Sequence, residues 1–217
     1  MNNNNDTLRI TEIFLSLQGE TKTVGLPTTF VRLTGCPLRC QYCDTAYAFK
    51  GGALVSIADI IKRIQGFYAT QVTVTGGEPL AQPGCITLLR ELCDLGYNVS
   101  LETSGAIDVT EVDPRVIKVV DLKTPGSKEM HRNLYSNLEH ITAHDQIKFV
   151  ICDRADFEWS KAMLIEHDLC AKCEVLFSPS YGQMQNRDLA QWILDDQLPV
   201  RFQVQLHKYI WGDEPGR

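Results

Sequence analysis

The sequence has no long apolar run, no excess of basic residues and no recognisable export leader. No apolar stretch approaches the roughly 20 residues that a membrane-spanning helix needs. The start, MNNNNDTLRI, lacks the basic and apolar regions of a signal peptide. The formal net charge of -6 leaves no basic stripe for nucleic acid. We therefore expect a cytoplasmic protein that binds neither membranes nor nucleic acid.

The chain of 217 residues is long enough to bury one good core. Residues 1–6, which are rich in asparagine, are predicted to be a disordered leader, and residues 7–217 a single domain. The chain contains eight cysteines. Without an export signal, clustered thiols indicate metal or redox chemistry in the reducing cytosol rather than disulfides.

Short β-branched runs alternate with segments of helical periodicity. Helices are predicted over 56–67, 86–96, 156–169 and 187–197, and strands over 28–35, 71–77, 97–105, 116–126, 146–153, 173–180 and 201–209. This alternation predicts an α/β fold with parallel strands and crossover helices. About six strands fall short of the eight of a closed TIM barrel, which favours an incomplete TIM-type barrel. A doubly wound open sheet is the alternative, and in both folds ligands gather at the carboxyl edge of the strands.

Three cysteines, Cys36, Cys40 and Cys43, lie within eight positions just after the first predicted core strand. Thiolates select zinc, Cu(I) or iron–sulfur clusters, and structural sites normally close with four protein ligands. A 4Fe–4S cluster on three thiolates leaves one iron without a protein ligand. Such an open position is typical of catalytic metal sites.

A second motif, TGGEP at 75–79, follows the next predicted strand. Gly76 and Gly77 allow a ligand to approach the backbone closely, and Glu78 offers a carboxylate to an ammonium group. Together with C-x3-C-x2-C and the aromatic Tyr42, this motif resembles the signature of radical S-adenosylmethionine enzymes. The resemblance implies that the amine and carboxylate of S-adenosylmethionine bind the open iron, and that a 5′-deoxyadenosyl radical abstracts hydrogen from a substrate.

The flanking segment IFLSLQGETKTVGLPTTFVRLTGCPLRCQYCDT, with LETSG, DLKTPGS and QLHKYIWG, resembles the 7-carboxy-7-deazaguanine synthase family. That family converts 6-carboxy-5,6,7,8-tetrahydropterin to 7-carboxy-7-deazaguanine by radical ring contraction with loss of ammonia, in queuosine and other 7-deazapurine pathways. The resemblance implies a carbon–nitrogen lyase that uses a 4Fe–4S cluster, S-adenosylmethionine and Mg²⁺. It also implies a homodimer and an electron-donating flavodoxin or similar reductase.

The resemblance also implies which residues contact the pterin. Arg32 would point its guanidinium at the pterin carboxylate, although a strand-surface salt bridge is the alternative. His207 is predicted on the last strand, and the C-terminal carboxylate of Arg217 would face the substrate unless the tail is frayed. The remaining substrate residues implied are Leu17, Gln18, Gly19 and Glu20 of the LQGE turn, and Thr103.

The cofactor residues implied by the resemblance lie at the strand ends. Thr45 resembles the family's Mg²⁺ ligand, although on sequence alone it would be a loop cap. Lys123 could instead be a solvated charge at a strand end. The S-adenosylmethionine contacts implied are Tyr42, Asp44, Gly76, Gly77, Glu78, Gly105, Asp121, Leu122, Lys123, Ser178, Pro179 and Ser180.

Two features depart from the family pattern. Thr21 replaces a glycine that often follows LQGE, so the turn is expected to differ in shape. His167, Cys170 and Cys173 have no family role, and they indicate either an auxiliary metal or, in our preferred interpretation, unreactive thiols packed at a helix end. Two other functions stay open: a radical activase that acts on a partner protein, and a non-enzymatic zinc or iron–sulfur module.

Overall fold

The computed structural model describes residues 6–214 and 216. In these residues a single nine-stranded sheet has the order β3–β1–β2–β4–β5–β6–β7–β8–β9. β1 is antiparallel to β2 and β3, and every other pair of neighbours is parallel. The strands are β1 Thr7–Leu17, β2 Pro27–Leu33, β3 Ala53–Ser56, β4 Gln71–Gly76, β5 Asn98–Thr103, β6 Ile117–Asp121, β7 Gln146–Ile151, β8 Glu174–Pro179 and β9 Arg201–Phe202.

Helices connect the parallel strands. The α-helices are α1 Ile57–Ile64, α2 Gly84–Asp94, α3 Arg154–Glu166, α4 Leu169–Lys172, α5 Asn186–Asp195 and α6 Leu206–Trp211. Short 3-10 turns cover Ala46–Phe49, Pro79–Ala81, Pro125–Ser127, Met130–Arg132 and Tyr135–His140. Among the described residues, no helix has the length and apolar character that crossing a membrane requires.

The predicted α/β class is confirmed, with a largely parallel sheet that does not close and is compatible with a partial TIM-type barrel. Seven strands, β2 and β4–β9, run parallel to one another. Most predicted strands match to within a few residues. The sequence interpretation missed β1 and β3, which add an antiparallel edge. The predicted leader falls mainly on residues 1–5, which lie outside the described residues; the Asp6 carbonyl accepts a hydrogen bond from Ile57 N–H at 3.0 Å.

Local sequence signals account for the helix boundaries. Ser56 caps α1, as its Oγ accepts a hydrogen bond from Asp59 N–H at 3.1 Å. Asp153 caps α3 in the same way, accepting from Asp156 N–H at 2.9 Å. The chain turns after α2 at Gly96, which has a φ of 85° that favours glycine.

The core occupies the helix-covered face of the sheet. Alternate residues of β7, such as Ile147 and Phe149, pack under α3, where the Phe157 ring lies 6.0 Å from Phe177 and 5.4 Å from Trp192. Full burial of such side chains stabilises the fold by about 1.5–3 kcal/mol each. The other residues of β7, Gln146, Lys148 and Val150, therefore face the opposite side of the sheet.

The predicted strand over 201–209 is wrong beyond its first residues. Only Arg201 and Phe202 pair with β8. The chain then leaves the sheet and forms α6, where Leu206 N–H donates to the Gly19 carbonyl at 2.9 Å. His207 consequently lies on a helix that covers the sheet edge, and not on the last strand.

Candidate active site

A cavity of about 540 Å³ opens at the carboxyl edge of the parallel strands. This volume lies in the range of small-molecule sites. The cavity brings together most of the residues that sequence reasoning selected. Those that line it are Leu17, Gln18, Gly19, Glu20, Arg32, Cys36, Cys40, Tyr42, Cys43, Asp44, Thr45, Gly76, Gly77, Thr103, Asp121, Lys123, Ser178, Pro179, Ser180 and His207.

The cysteine loop leaves β2 and rests directly on the TGGEP backbone. A methyl group on Gly77 would lie 2.0 Å from the Gly35 carbonyl oxygen and 2.9 Å from Cys36 Cβ. The Glu78 N–H donates to the same carbonyl at 2.8 Å. Only glycine fits at position 77. The second motif thus supports the first through backbone contact.

The three loop thiols all line the cavity. Cys43 N–H donates to the Cys40 carbonyl at 3.2 Å, and Leu38 N–H donates to Cys36 Sγ at 3.4 Å. Burial raises the pKa of Cys36, and it raises the pKa of Cys40 to about 11. Within residues 6–214 and 216, no three cysteine, histidine or carboxylate side chains already converge on one metal-binding point. The loop could provide three soft ligands, and a ligand from solution would then have to complete the coordination.

Three residues that line this cavity each contain a polar atom that is buried without a hydrogen-bond partner in the described residues: Tyr42 OH, Asp121 Oδ1 and Ser178 Oγ. Buried polar groups are normally satisfied, so unpaired ones need an explanation. All three belong to residues that the family resemblance assigns to S-adenosylmethionine. A ligand with several donors and acceptors, such as this cofactor, fits their chemistry.

Lys123 is buried beside Asp121. Its Nζ lies 2.9 Å from Asp121 Oδ2 and 5.9 Å from the Tyr42 ring centroid. Burial alone would lower the pKa of Lys123, but the Asp121 carboxylate outweighs it and raises that pKa. Because the residue is only 8% exposed, the alternative interpretation of Lys123 as a solvated strand-end charge is wrong.

Lys148 on β7 is a cavity residue that sequence reasoning missed. Its Nζ lies 2.6 Å from Glu20 Oε2 and 3.7 Å from Asp121 Oδ2. Burial alone would raise the pKa of Glu20, but the Lys148 ammonium lowers it to about 2. Burial would also lower the pKa of Lys148, and its carboxylate neighbours raise it instead. The sequence signal that could have identified Lys148 was a charged residue that alternates with the apolar residues of a predicted strand.

Glu102 is the second missed residue, and it lines the cavity from β5. Its Oε2 accepts from Thr75 Oγ1 at 3.0 Å, and its Oε1 accepts from Gln18 Nε2 at 3.4 Å. Burial raises the pKa of this carboxyl, because no cation lies within ion-pair distance of it in the described residues. Glu102 is part of the LETSG motif, but the sequence did not indicate which way its side chain points.

Arg32 forms an ion pair, as one of its two predicted arrangements requires, and its contact with the pterin stays a prediction. Its Nε lies 2.7 Å from Glu12 Oε1, and its side chain also lines the cavity. The guanidinium carbon lies 5.9 Å from the ring centroids of both Phe14 and Tyr47. These contacts hold a positive charge at the cavity wall.

The LQGE turn contacts α6 directly at the wall of the cavity. A methyl group on Gly19 would lie 2.1 Å from His207 Nδ1, so only glycine allows this approach. Gln205 Nε2 donates to Glu20 at 2.8 Å and to Asp44 at 3.1 Å. Burial lowers the pKa of His207 although carboxylates surround it. Thr21, where the family often has glycine, keeps a left-handed φ of 66°.

Among the described residues, three predicted site residues are not brought into the cavity lining. Glu78 is fully buried, and its carboxylate accepts from Thr103 Oγ1, Ser104 N–H and Leu80 N–H, which leaves it no free face for an ammonium group. Leu122 packs in the core, and Gly105 turns behind β6 with a φ of 71°. Arg217 lies outside the described residues.

The cysteines of HDLCAKC lie at the opposite edge of the sheet, where α4 leads into β8. Cys173 belongs to the buried core, and Cys170 packs against it. Burial raises the pKa of both thiols. His167 stacks on the Tyr135 ring at 5.2 Å. These contacts favour the interpretation of packed, unreactive thiols.

Comparison with known proteins identifies the class first. The family model described as the radical SAM superfamily matches residues 30–121, which include the cysteine loop and TGGEP. The fold and site thus define a radical S-adenosylmethionine protein, a class that uses a 4Fe–4S cluster together with S-adenosylmethionine. A 7-carboxy-7-deazaguanine synthase of Chlorobaculum tepidum is 45% identical over 210 residues, covering 95% of this chain and 96% of its own. One from Koribacter versatilis is 42% identical, covering 95% and 98%. The chain belongs to the 7-carboxy-7-deazaguanine synthase family.

Solved structures agree with this assignment. The crystal structure of QueE from Escherichia coli superposes with a TM-score of 0.76 at 25% identity, covering 93% of this chain and 95% of that one. Streptococcus suis SuiB bound to S-adenosylmethionine superposes with a TM-score of 0.55 at 13% identity, covering 82% and 47%. The second likeness shows a shared fold.

Proposed function

We propose that this protein converts 6-carboxy-5,6,7,8-tetrahydropterin to 7-carboxy-7-deazaguanine with loss of ammonia, as a carbon–nitrogen lyase of 7-deazapurine (queuosine) biosynthesis. One observation carries the proposal. The LQGE turn, Arg32 and His207 share a single cavity with the three-thiol loop. This arrangement supports a site for an anionic heterocycle next to a site for a cluster with an open iron.

Cys36, Cys40 and Cys43 would hold the 4Fe–4S cluster. When bound, the cluster and S-adenosylmethionine supply a 5′-deoxyadenosyl radical that abstracts hydrogen from the substrate. The unpaired oxygens of Tyr42 and Ser178 offer hydrogen bonds to the cofactor. Because Lys123 contacts Oδ2 of the neighbouring Asp121, Oδ1 stays available to a donor of the cofactor.

Charges in the cavity suit the pterin. The Arg32 guanidinium would attract the pterin carboxylate. Glu20 and Glu102 present acceptors to the N–H groups of the pterin ring, and Gln18 orients Glu102 through its amide. His207, whose burial lowers its pKa, would contact the substrate as a neutral ring. The Lys148 ammonium keeps Glu20 ionised and oriented.

Mg²⁺, a second subunit and a reductase complete the proposal. Thr45 lines the cavity and would give Mg²⁺ one hydroxyl ligand, with water and substrate oxygens as the others. Strands β3 and β9 end the sheet, and a homodimer would cover an exposed edge. A flavodoxin or similar reductase would supply the electron.

The test is turnover of the purified, reconstituted protein without oxygen. Dithionite, S-adenosylmethionine and 6-carboxytetrahydropterin are added with and without Mg²⁺, and products are followed by mass. We expect 7-carboxy-7-deazaguanine, with S-adenosylmethionine not consumed in step with product. Formation of 5′-deoxyadenosine with the pterin untouched would favour another radical enzyme, such as an activase. A colourless protein that never takes up iron would favour a zinc module.

A further inference from the structure

Glu102 is a cavity carboxyl group with only neutral hydrogen-bond donors and no ion pair in the described residues. It lines the cavity from β5 and is half-buried. Thr75 Oγ1 donates to its Oε2 at 3.0 Å, and Gln18 Nε2 donates to its Oε1 at 3.4 Å. An ionised carboxylate has room for about four such bonds. Two neutral contacts, one of them long, therefore stabilise a charge on Glu102 poorly.

Glu78 has the opposite surroundings, although it is also a carboxyl group between strands of this sheet. Its oxygens accept from the N–H groups of Ser104 and Leu80 and from the hydroxyls of Thr103 and Ser104. Bonds from backbone N–H groups favour the charged form of a carboxyl group. Within residues 6–214 and 216, no backbone N–H donates to Glu102. Its surroundings therefore favour the neutral form.

Four charged side chains share the cavity wall with Glu102: Arg32 on β2, Asp121 on β6, Lys148 on β7 and Glu20 of the LQGE turn. Both cations already form ion pairs with other carboxylates, at 2.6 and 2.7 Å. Burial, with the negative charge of Glu20, outweighs their attraction and raises the pKa of Glu102. The pKa of Glu20 is lowered to about 2. Two carboxyl groups whose surroundings move their pKa values apart are typical of acid–base sites.

The sheet register places Glu102 close to the expected position of the pterin carboxylate. Thr75 on β4 pairs with Arg32 on β2, and its hydroxyl contacts Glu102. Arg32 and Glu102 therefore lie on one face of the sheet, two strands or about 10 Å apart. A carboxylate held by Arg32 would bring the carbon that bears it, and the ring nitrogen bonded to that carbon, between the two side chains.

The proposed substrate and product differ by one molecule of ammonia. In the product, the carbon that bears the carboxylate takes the place of the ring nitrogen next to it, so this nitrogen is the one that leaves. An amine leaves carbon readily when an acid protonates it as the C–N bond breaks. The neighbouring ring carbon must also lose a proton before the new ring double bond can form.

We propose that Glu102 is the general acid that protonates the departing nitrogen of the pterin, and the base that then takes a proton from the neighbouring ring carbon. The inference rests on the proposed function. The electron pair of the C–N bond goes to nitrogen, which leaves as ammonia with the Glu102 proton. The electron pair of the broken C–H bond then forms the ring double bond, and its proton returns to Glu102. The step consumes no oxidant or reductant.

The test compares E102Q and E102D with the parent, all reconstituted without oxygen. Glutamine keeps the size of the side chain and its contacts, but it has no proton to donate as an acid. The matched control is E20Q, which makes the same change in the carboxyl group that Lys148 pairs with. Iron content and S-adenosylmethionine affinity are measured first, and those of E102Q should lie within about twofold of the parent.

With dithionite, S-adenosylmethionine and 6-carboxytetrahydropterin, E102Q should form 7-carboxy-7-deazaguanine at least about 100-fold more slowly than the parent. It should accumulate an isomer of the substrate, with the same mass and a different retention time, because only the loss of ammonia needs the acid. E102D should recover part of the rate. E20Q should raise the KM for the pterin without accumulating the isomer. If E102Q loses iron, E102D replaces it and should also accumulate the isomer.

Two further measurements report on the proton itself. The kcat of the parent should fall on the alkaline side as Glu102 loses its proton; E102D should keep this limb of the pH profile and E102Q should lose it. Infrared difference spectra between the parent and E102Q need no turnover. They should contain the carbonyl band of a protonated carboxyl group at pH values well above 4.5, the ordinary pKa of glutamic acid.

Product formation by E102Q within about fivefold of the parent would overturn the inference, and so would a pH profile that E102Q leaves unchanged. An E102Q variant that holds iron and S-adenosylmethionine but forms neither product nor isomer would also overturn it, because Glu102 would then act in binding or in the radical step. Failure of the proposed function has a different signature, since the parent itself would then form neither compound from the pterin.

Discussion

The backbone of Gly19 touches the His207 ring so closely that a methyl group on Gly19 would lie 2.1 Å from His207 Nδ1. The two residues join the LQGE turn to α6, and Leu206 N–H reinforces the contact through the Gly19 carbonyl. One wall of the cavity therefore consists of two segments that are far apart in sequence.

Gly19→Ala should lower stability and raise the KM for the pterin, because the added methyl must displace the His207 ring. Overpacking of this kind costs about 1–3 kcal/mol. Urea unfolding and steady-state kinetics measure the two effects. In the G19A/H207A double variant the clash is largely removed, so the loss of stability should be smaller than the sum of the two single losses. Strict additivity would contradict the contact.

Lys148→Met should be strongly destabilising, by about 3–5 kcal/mol, because it leaves the buried Glu20 carboxylate without its cation. Adding Glu20→Gln should recover part of that loss. Urea unfolding of K148M, E20Q and the double variant gives the coupling free energy between the two residues. The exposed pair Arg154–Glu158 is the control, and R154M should cost less than about 1 kcal/mol. A loss in K148M no larger than that of R154M would contradict the buried pair.

The Glu20 contribution should depend on pH in a defined window. Its pKa falls from 4.5 to about 2 in the folded protein. A lowered carboxyl pKa stabilises the fold above the unfolded value and loses this effect as pH falls towards the folded value. The stability difference between the parent and E20Q should stay constant from about pH 6 to 8 and shrink below about pH 5. Unfolding curves across this range check it, and a difference that grows on acidification would refute the assignment.

Glu78→Gln should lower stability by about 1–3 kcal/mol, because the amide nitrogen would face donors that now find a carboxylate oxygen. Since Glu78 does not line the cavity, the affinity of the folded protein for S-adenosylmethionine should change by less than about threefold. Unfolding and equilibrium binding separate the two effects. A large loss of affinity with stability intact would show that Glu78 contacts the cofactor directly. Ser104→Ala removes the Ser104 hydroxyl, which donates to Glu78 Oε2 at 2.5 Å, and it should show a smaller loss of stability.

Cys170→Ser with Cys173→Ser should leave iron content unchanged, whereas Cys40→Ala should reduce it sharply. The first pair packs at the far edge of the sheet, and Cys40 lines the cavity. Iron analysis and visible absorption after anaerobic reconstitution compare the variants. Loss of iron in the C170S/C173S variant would favour the interpretation of an auxiliary metal site.

Much of the sheet could be predicted because its parallel strands are buried on both faces and read as short β-branched runs. The segment 201–209 was wrongly predicted to be a strand because apolar and polar residues also alternate in QVQLHKY. Only the tertiary hydrogen bond from Leu206 to Gly19 shows that the chain leaves the sheet there. β1 escaped because its end was interpreted as a binding motif rather than as a strand.

The cavity could be predicted through its motifs but not through its charges. Local sequence motifs predicted that the three thiols and the LQGE turn belong to the site. Which side of β5 and β7 faces the cavity depends on sheet packing, so Glu102 and Lys148 stayed unassigned. Glu78 shows the reverse error, since a motif carboxylate is used internally by Thr103 and Ser104.

The contact between the LQGE turn and α6 also bears on how the protein is made. A growing polypeptide presents the cysteine loop, TGGEP and the first strands long before residues 206–211 emerge from the ribosome. The cavity wall that these two segments form can be completed only after residues 206–211 have been synthesised. A message truncated shortly before residue 206 would therefore yield a chain that keeps every loop cysteine but lacks the helix that completes its cavity.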